Sequence, residues 1–167
     1  ENINKFLENN FPTDSDRFDV GAAIKHPLAD PKYSQEIITH ALHGNYTNNL
    51  ANAVSHPSTT KAQLNSLLTG HYNSIDNGVV TAIIDHPKTS SVEIKNFISR
   101  QHENSGHLFS DVAHALRSKK LTSDDVDELH KKYKDGYSYI STALMENPNT
   151  SKTTHKSLRM DFAAKHD

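Results

Sequence analysis

One short cassette, a turn marked by proline and closed by a helix cap, returns about every thirty residues, and it restricts what this chain can fold into. His-Pro stands at His26-Pro27, His56-Pro57 and His86-Pro87, thirty residues apart each time. Asn147-Pro148 is an altered fourth copy, and Ser118-Lys119 fills the intervening gap without proline. With Pro27, Pro57, Pro87, Lys119 and Pro148 as anchors, the third residue after each is Asp30, Thr60, Ser90, Thr122 or Ser151. All five are preferred helix N-caps, because their side-chain oxygens accept from backbone N–H groups that a helix start leaves unpaired. Thr60 with Gln63 and Ser90 with Glu93 have the form of a capping box, and Thr122 with Asp125 is a looser acidic version.

The apolar positions keep the same phase. Three residues before the anchors stand Ile24, Val54, Ile84, Leu116 and Met145, and four before stand Ala23, Ala53, Ile83, Ala115 and Leu144. Seven before are Val20, Leu50, Val80 and Val112, with Ser141 the exception. Spacings of three and four put these side chains on one helix face. After the anchors, Ile37/Ile38, Leu67/Leu68 and Phe97/Ile98 mark the face of a second helix, which Val126, Leu129 and Leu158 continue less completely. Each cassette thus predicts helix A, a turn, then helix B. Helix A should end near His26, His56 and His86, since proline disfavours the helical conformation of the residue before it. Gly44, Gly70, Gly106 and Gly136 punctuate the return to the next helix A.

These signals predict an all-α chain: a right-handed α-solenoid of about five helix-turn-helix repeats forming a single domain. The repeats fall at 15–43, 45–71, 74–102, 106–133 and 136–165. Residues 1–14 supply an N-terminal cap, whose amphipathic helix carries Ile3, Phe6, Leu7 and Phe11 and should stop at Phe11-Pro12. One cassette cannot bury its apolar face alone, whereas stacked cassettes share a continuous core. The pattern Ala-x-x-His-Pro-x-Thr-x-x-x-x-Leu, as in Ala53 to Leu64, resembles variant leucine-rich repeats and, more broadly, HEAT-like α-solenoids. That resemblance implies a rigid binding surface. Some variant leucine-rich proteins hold an iron–sulfur cluster on cysteines, but this chain has none, so the feature does not carry over. The richness in Asn, Ser and Thr also resembles phage and mobile-element proteins.

Composition narrows the function classes. The net charge is −2, which gives no global attraction to nucleic acid or membrane. With no cysteine there is neither a disulfide nor a thiolate site. No signal-peptide pattern opens the chain and no apolar run approaches the roughly 18 residues of a spanning helix, so a cytoplasmic location without membrane attachment is expected. The sequence carries no G-x-S-x-G, Walker loop, H-E-x-x-H or G-x-G-x-x-G motif, which favours a non-enzymatic role without cofactor, metal or catalytic residues.

Histidine is the compositional oddity, at twelve residues. His26, His56 and His86 have a structural reading: near a helix C-terminus, a ring can bond free carbonyls. A metal shared among them is disfavoured, since neighbouring packed helices sit about 8–10 Å apart. His40 and His43 share a helix face, but two ligands do not complete a zinc site. The loops from helix B to the next helix A carry His43, Tyr46, His71, Tyr72, His102 and His107. On regular stacking these form one edge, a candidate protein-binding surface, although the tyrosine rings could equally pack between repeats. Towards the C-terminus basic residues thicken: Lys119, Lys120, Lys131, Lys132, Lys134, Lys152, Lys156 and Arg159. They are candidate phosphate contacts for an alternative nucleic-acid-binding role. Interleaved Asp124, Asp125, Asp127 and Glu128 follow a cap and complement the helix dipole. The leading expectation is a protein-interaction module acting as adaptor, scaffold or inhibitor.

Overall fold

The computed structural model describes residues 2–14, 17–45, 47–70, 77–103 and 109–166. Those residues form eleven helices. The first, α1 (Ile3–Asp14), precedes five pairs: α2 (Phe18–Ile24) with α3 (Pro31–Leu42), α4 (Leu50–Val54) with α5 (Lys61–Thr69), α6 (Asn77–Asp85) with α7 (Ser91–Glu103), α8 (Phe109–Leu116) with α9 (Ser123–Tyr133), and α10 (Ser138–Glu146) with α11 (Lys152–His166). No helix among the described residues is long and apolar enough to cross a membrane.

The chain divides into two compact units, Glu1–Thr89 and Ser90–Asp167. In the first, α2 packs on α4 and α4 on α6, while α3 packs on α4 and α5, and α5 on α6. The helix α1 lies against α2. In the second unit α8 packs on α10, α9 on α10 and α11, α7 on α8, and α10 on α11. In both units, therefore, A helices meet A helices and B helices meet B helices, with the B helix also reaching the following A helix.

Local chemistry explains where the B helices begin. Asp30 accepts from the N–H of Lys32, and Ser151 from that of Thr154. Thr60 with Gln63 and Thr122 with Asp125 each complete both bonds of a capping box. At Ser90 the Glu93 carboxylate reaches back to the backbone N–H (2.6 Å) and the hydroxyl (3.0 Å). Core positions keep the predicted phase: Val20, Leu50, Val80, Val112 and even Ser141, seven before each anchor, are all buried. So are Ile37, Leu67, Phe97, Leu129 and Leu158, ten after it.

One helix boundary differs from expectation. The α1 helix runs through Pro12 to Asp14 instead of stopping at Phe11. Proline removes a single hydrogen bond, and in the last turn that loss is small. Phe11 is also held edge-on to Tyr33, with ring centroids 5.0 Å apart. Earlier in α1, Asn4 donates to the carbonyl of Leu28 and accepts from the N–H of Asp30, so the helix grips the first A–B turn by its backbone.

The glycines behave unequally. Gly44 has φ +80°, and the N–H groups of Gly44 and Asn45 close α3 by bonding Ala41 and His40 carbonyls. Gly70 is extended, and Gly106 lies outside the described residues. Gly21 lies close to the start of α4: a Cβ there would meet the ends of the Asn49 and Asn52 side chains, which would have to shift.

Candidate functional site

The A–B turns are built alike. In all five cassettes the side chain just before the anchor accepts from the backbone N–H two residues on: His26 Nδ1 from Leu28, His56 Nδ1 from Ser58, His86 Nδ1 from Lys88, Ser118 Oγ from Lys120 and Asn147 Oδ1 from Asn149. Accepting at Nδ1 leaves the ring proton on Nε2, free to donate. His56 Nε2 then bonds the carbonyl of Ala29 (3.1 Å), and His86 Nε2 bonds the carbonyl of His56 (3.3 Å). Asn147 Nδ2 does the same to Leu116 and Ser118. His26 is exposed, while His56 and His86 are buried. His56 and His86 thus bond carbonyls of the neighbouring turn. The own-helix carbonyls are capped by Thr59, Thr89 and Thr150, whose hydroxyls bond Ala53, Ile83 and Leu144.

A second set of bonds joins successive B helices. Gln35 and Gln63 exchange amide hydrogen bonds between α3 and α5. Lys95 of α7 holds Asp125 (2.8 Å) and Glu128 (3.2 Å) of α9. Thr154 of α11 donates to Asp127 of α9. In each case the residue eight past one anchor meets the residue six past the next. Further along, His130 lies 2.8 Å from Asp161, and Lys165 reaches the carbonyls of Lys134 and Gly136.

Charge follows this geometry. Bonds to Asp125 and then Glu128 hold the Lys95 ammonium above its ordinary 10.5, against the effect of burial. For Asp125, burial pushes the carboxyl up, but the Lys95 ammonium with the N–H and hydroxyl of Thr122 outweigh it, and the net falls below 3.8. A carboxyl lowered by folding stabilises the fold above its unfolded value and loses that contribution as pH falls through the lowered one; a raised ammonium contributes below its unfolded value and loses it as pH rises beyond. Lys95→Met should therefore lower stability by roughly 0.5–1 kcal/mol near neutral pH, the range for partly solvated pairs. Urea titrations of variant and parent should converge as pH falls through the lowered Asp125 value, where that carboxyl is protonated and the pair is lost.

Of the predicted edge, His43 and His102 fall within the described residues, and Tyr46, His71, Tyr72 and His107 lie outside them. His43 is exposed at the end of α3, with Nδ1 2.7 Å from the Thr39 carbonyl oxygen. His102, in the other unit, packs on Tyr133 with ring centroids 4.5 Å apart. Around that ring lie groups that periodicity did not single out: Tyr133 Oη and Lys132 Nζ both donate to Ser99 Oγ, at 3.1 and 3.0 Å, tying α9 to α7. Because these partners come from different repeats and differ in chemistry, no sequence pattern marks them.

The basic residues separate into two groups. Lys132 is engaged with Ser99, and Lys120 is half-buried. Lys119, Lys131, Lys134, Lys152, Lys156 and Arg159 are exposed, and none forms an ion pair among the described residues. Lys152, Lys156 and Arg159 share one face of α11 at spacings of four and three. No three His, Asp or Glu side chains among the described residues group so as to hold a metal ion. No family model, curated protein or solved structure matches this chain.

Proposed function

We propose that the five cassettes stack as one right-handed α-solenoid of the HEAT-like or variant leucine-rich kind, and that the chain serves as a non-enzymatic protein-interaction module in the cytoplasm. The observation that carries this reading is the recurrence of cross-cassette bonds at one register: 35 with 63, 95 with 125, and 127 with 154. The backbone-directed bonds of His56, His86 and Asn147 add a second, independent period. A surface fixed in this way loses little conformational entropy on binding, which favours recognition of a folded partner.

The edge carrying His43, Tyr46, His71, Tyr72, His102 and His107 is the first contact surface under this reading, and the exposed faces of the B helices are the second. Replacing Tyr46, Tyr72 and His102 together should weaken capture of a cross-linked native partner and leave the far-ultraviolet circular dichroism unchanged. Undiminished affinity in a folded triple variant would remove that edge from consideration.

The exposed cations Lys119, Lys131, Lys134, Lys152, Lys156 and Arg159, none in an ion pair among the described residues, favour a second reading, nucleic-acid binding. It requires affinity that falls steeply as salt rises. Absence of DNA and RNA binding at low salt would eliminate it.

A further inference from the structure

Each B helix in the interior of a unit has a face that receives the next B helix. On α9 that face carries Asp127 and His130, eight and eleven residues past the anchor, which bond Thr154 and Asp161 of α11. The same positions on α11 are Lys156 and Arg159, and both are exposed. Lys152 and Ala163 extend this exposed strip, and Met160, 65% exposed, borders it. The acid nearest in sequence, Asp161, is turned away towards His130. The strip is therefore a helix-receiving face that carries three cations and no carboxylate from its own helix.

We propose that this face of α11 docks a partner protein's amphipathic helix bearing carboxylates at i, i+3 and i+7. The spacing comes from the interior junctions. Lys95, at the register of Lys156, takes Asp125 and Glu128, six and nine residues past the following anchor. His130, at the register of Arg159, takes Asp161, thirteen past its anchor. An incoming helix that repeats both contacts carries acids at those three positions, with small apolar side chains over Met160 and Ala163. A second copy of this chain presenting the same strip is disfavoured, because Lys152, Lys156 and Arg159 would meet like charges. Duplex DNA could answer the charge but not the apolar border, so it serves as the competing outcome. The inference rests on the protein-binding reading above and names the partner's chemistry.

The test uses the full chain, labelled with 15N, and three probes: an alanine-rich helical peptide with glutamate at i, i+3 and i+7, the same peptide with lysine there, and random-sequence duplex DNA. The glutamate peptide should shift the α11 amide resonances, and the lysine peptide should not. Lys156→Glu with Arg159→Glu should weaken the glutamate peptide about tenfold and should gain affinity for the lysine peptide, a reversal that damage to the fold would not produce. Equal binding of the two peptides, unchanged affinity in the double variant, or tighter binding of DNA than of the glutamate peptide at α11 would overturn the proposal. A native protein partner that binds the double variant as well as the parent would also overturn it, while leaving the protein-binding reading in place.

Discussion

Phe97→Ala should destabilise the chain by about 3–5 kcal/mol, the range for emptying a buried aromatic site. Phe97 is the bulkiest fully buried side chain among the described residues, at 2% exposure, in the middle of α7. Its position, ten past the anchor, is buried in every cassette, so the site belongs to the repeated core and not to a local pocket. Val92 lies on the same helix and is mostly exposed, so Val92→Ala should stay within about 0.5 kcal/mol. Guanidinium unfolding of both variants checks the pair. Similar small losses at both sites would mean that the face of α7 has been assigned wrongly.

His56→Ala should cost about 2–4 kcal/mol, combining a small cavity with polar groups left without partners. The ring is 2% exposed and serves three groups: the Ser58 N–H, the Ser58 hydroxyl and the Ala29 carbonyl. Truncation removes the ring's hydrogen bond from that buried carbonyl. His26→Ala is the matched control, because His26 makes the turn bond to Leu28 but is exposed, and it should lose well under about 1 kcal/mol. His56→Asn should recover part of the loss, since Asn147 performs both bonds in the fifth cassette. Thermal melts of the three variants rank them. A His56→Ala variant no worse than His26→Ala would show that the bond to Ala29 contributes nothing.

Much of this architecture was legible in the sequence because its signals are local. A side-chain cap favours Asp, Asn, Ser or Thr, and proline shapes the residue before it, so Asp30, Thr60, Ser90, Thr122 and Ser151 declared the starts of the B helices directly. The exception at Pro12 is a case of tertiary support overriding a local breaker, since Phe11 is held on Tyr33. Contacts between cassettes were hidden for the opposite reason. Gln35 with Gln63, Lys95 with Asp125 and Asp127 with Thr154 occupy one register with three different chemistries, so no residue type recurs. The acids after Thr122 read as dipole complements, yet Asp125 and Glu128 also hold Lys95. The histidines read as caps of their own helices, whereas threonines two past the anchor fill that role. Of the proposed His/Tyr edge, only His43 and His102 lie within the described residues, one in each unit.

The cross-turn bonds from His56, His86 and Asn147 all end on main-chain carbonyls. A main-chain acceptor is supplied by every amino acid, so the joint makes no demand on the identity of the side chain it meets. Such a joint tolerates drift in the receiving segment and lets a copied segment of similar length be spliced in beside its parent without a matching second mutation. Gain or loss of a whole cassette is then open to gene duplication and deletion, and exposed side chains can diverge while these joints stay unchanged.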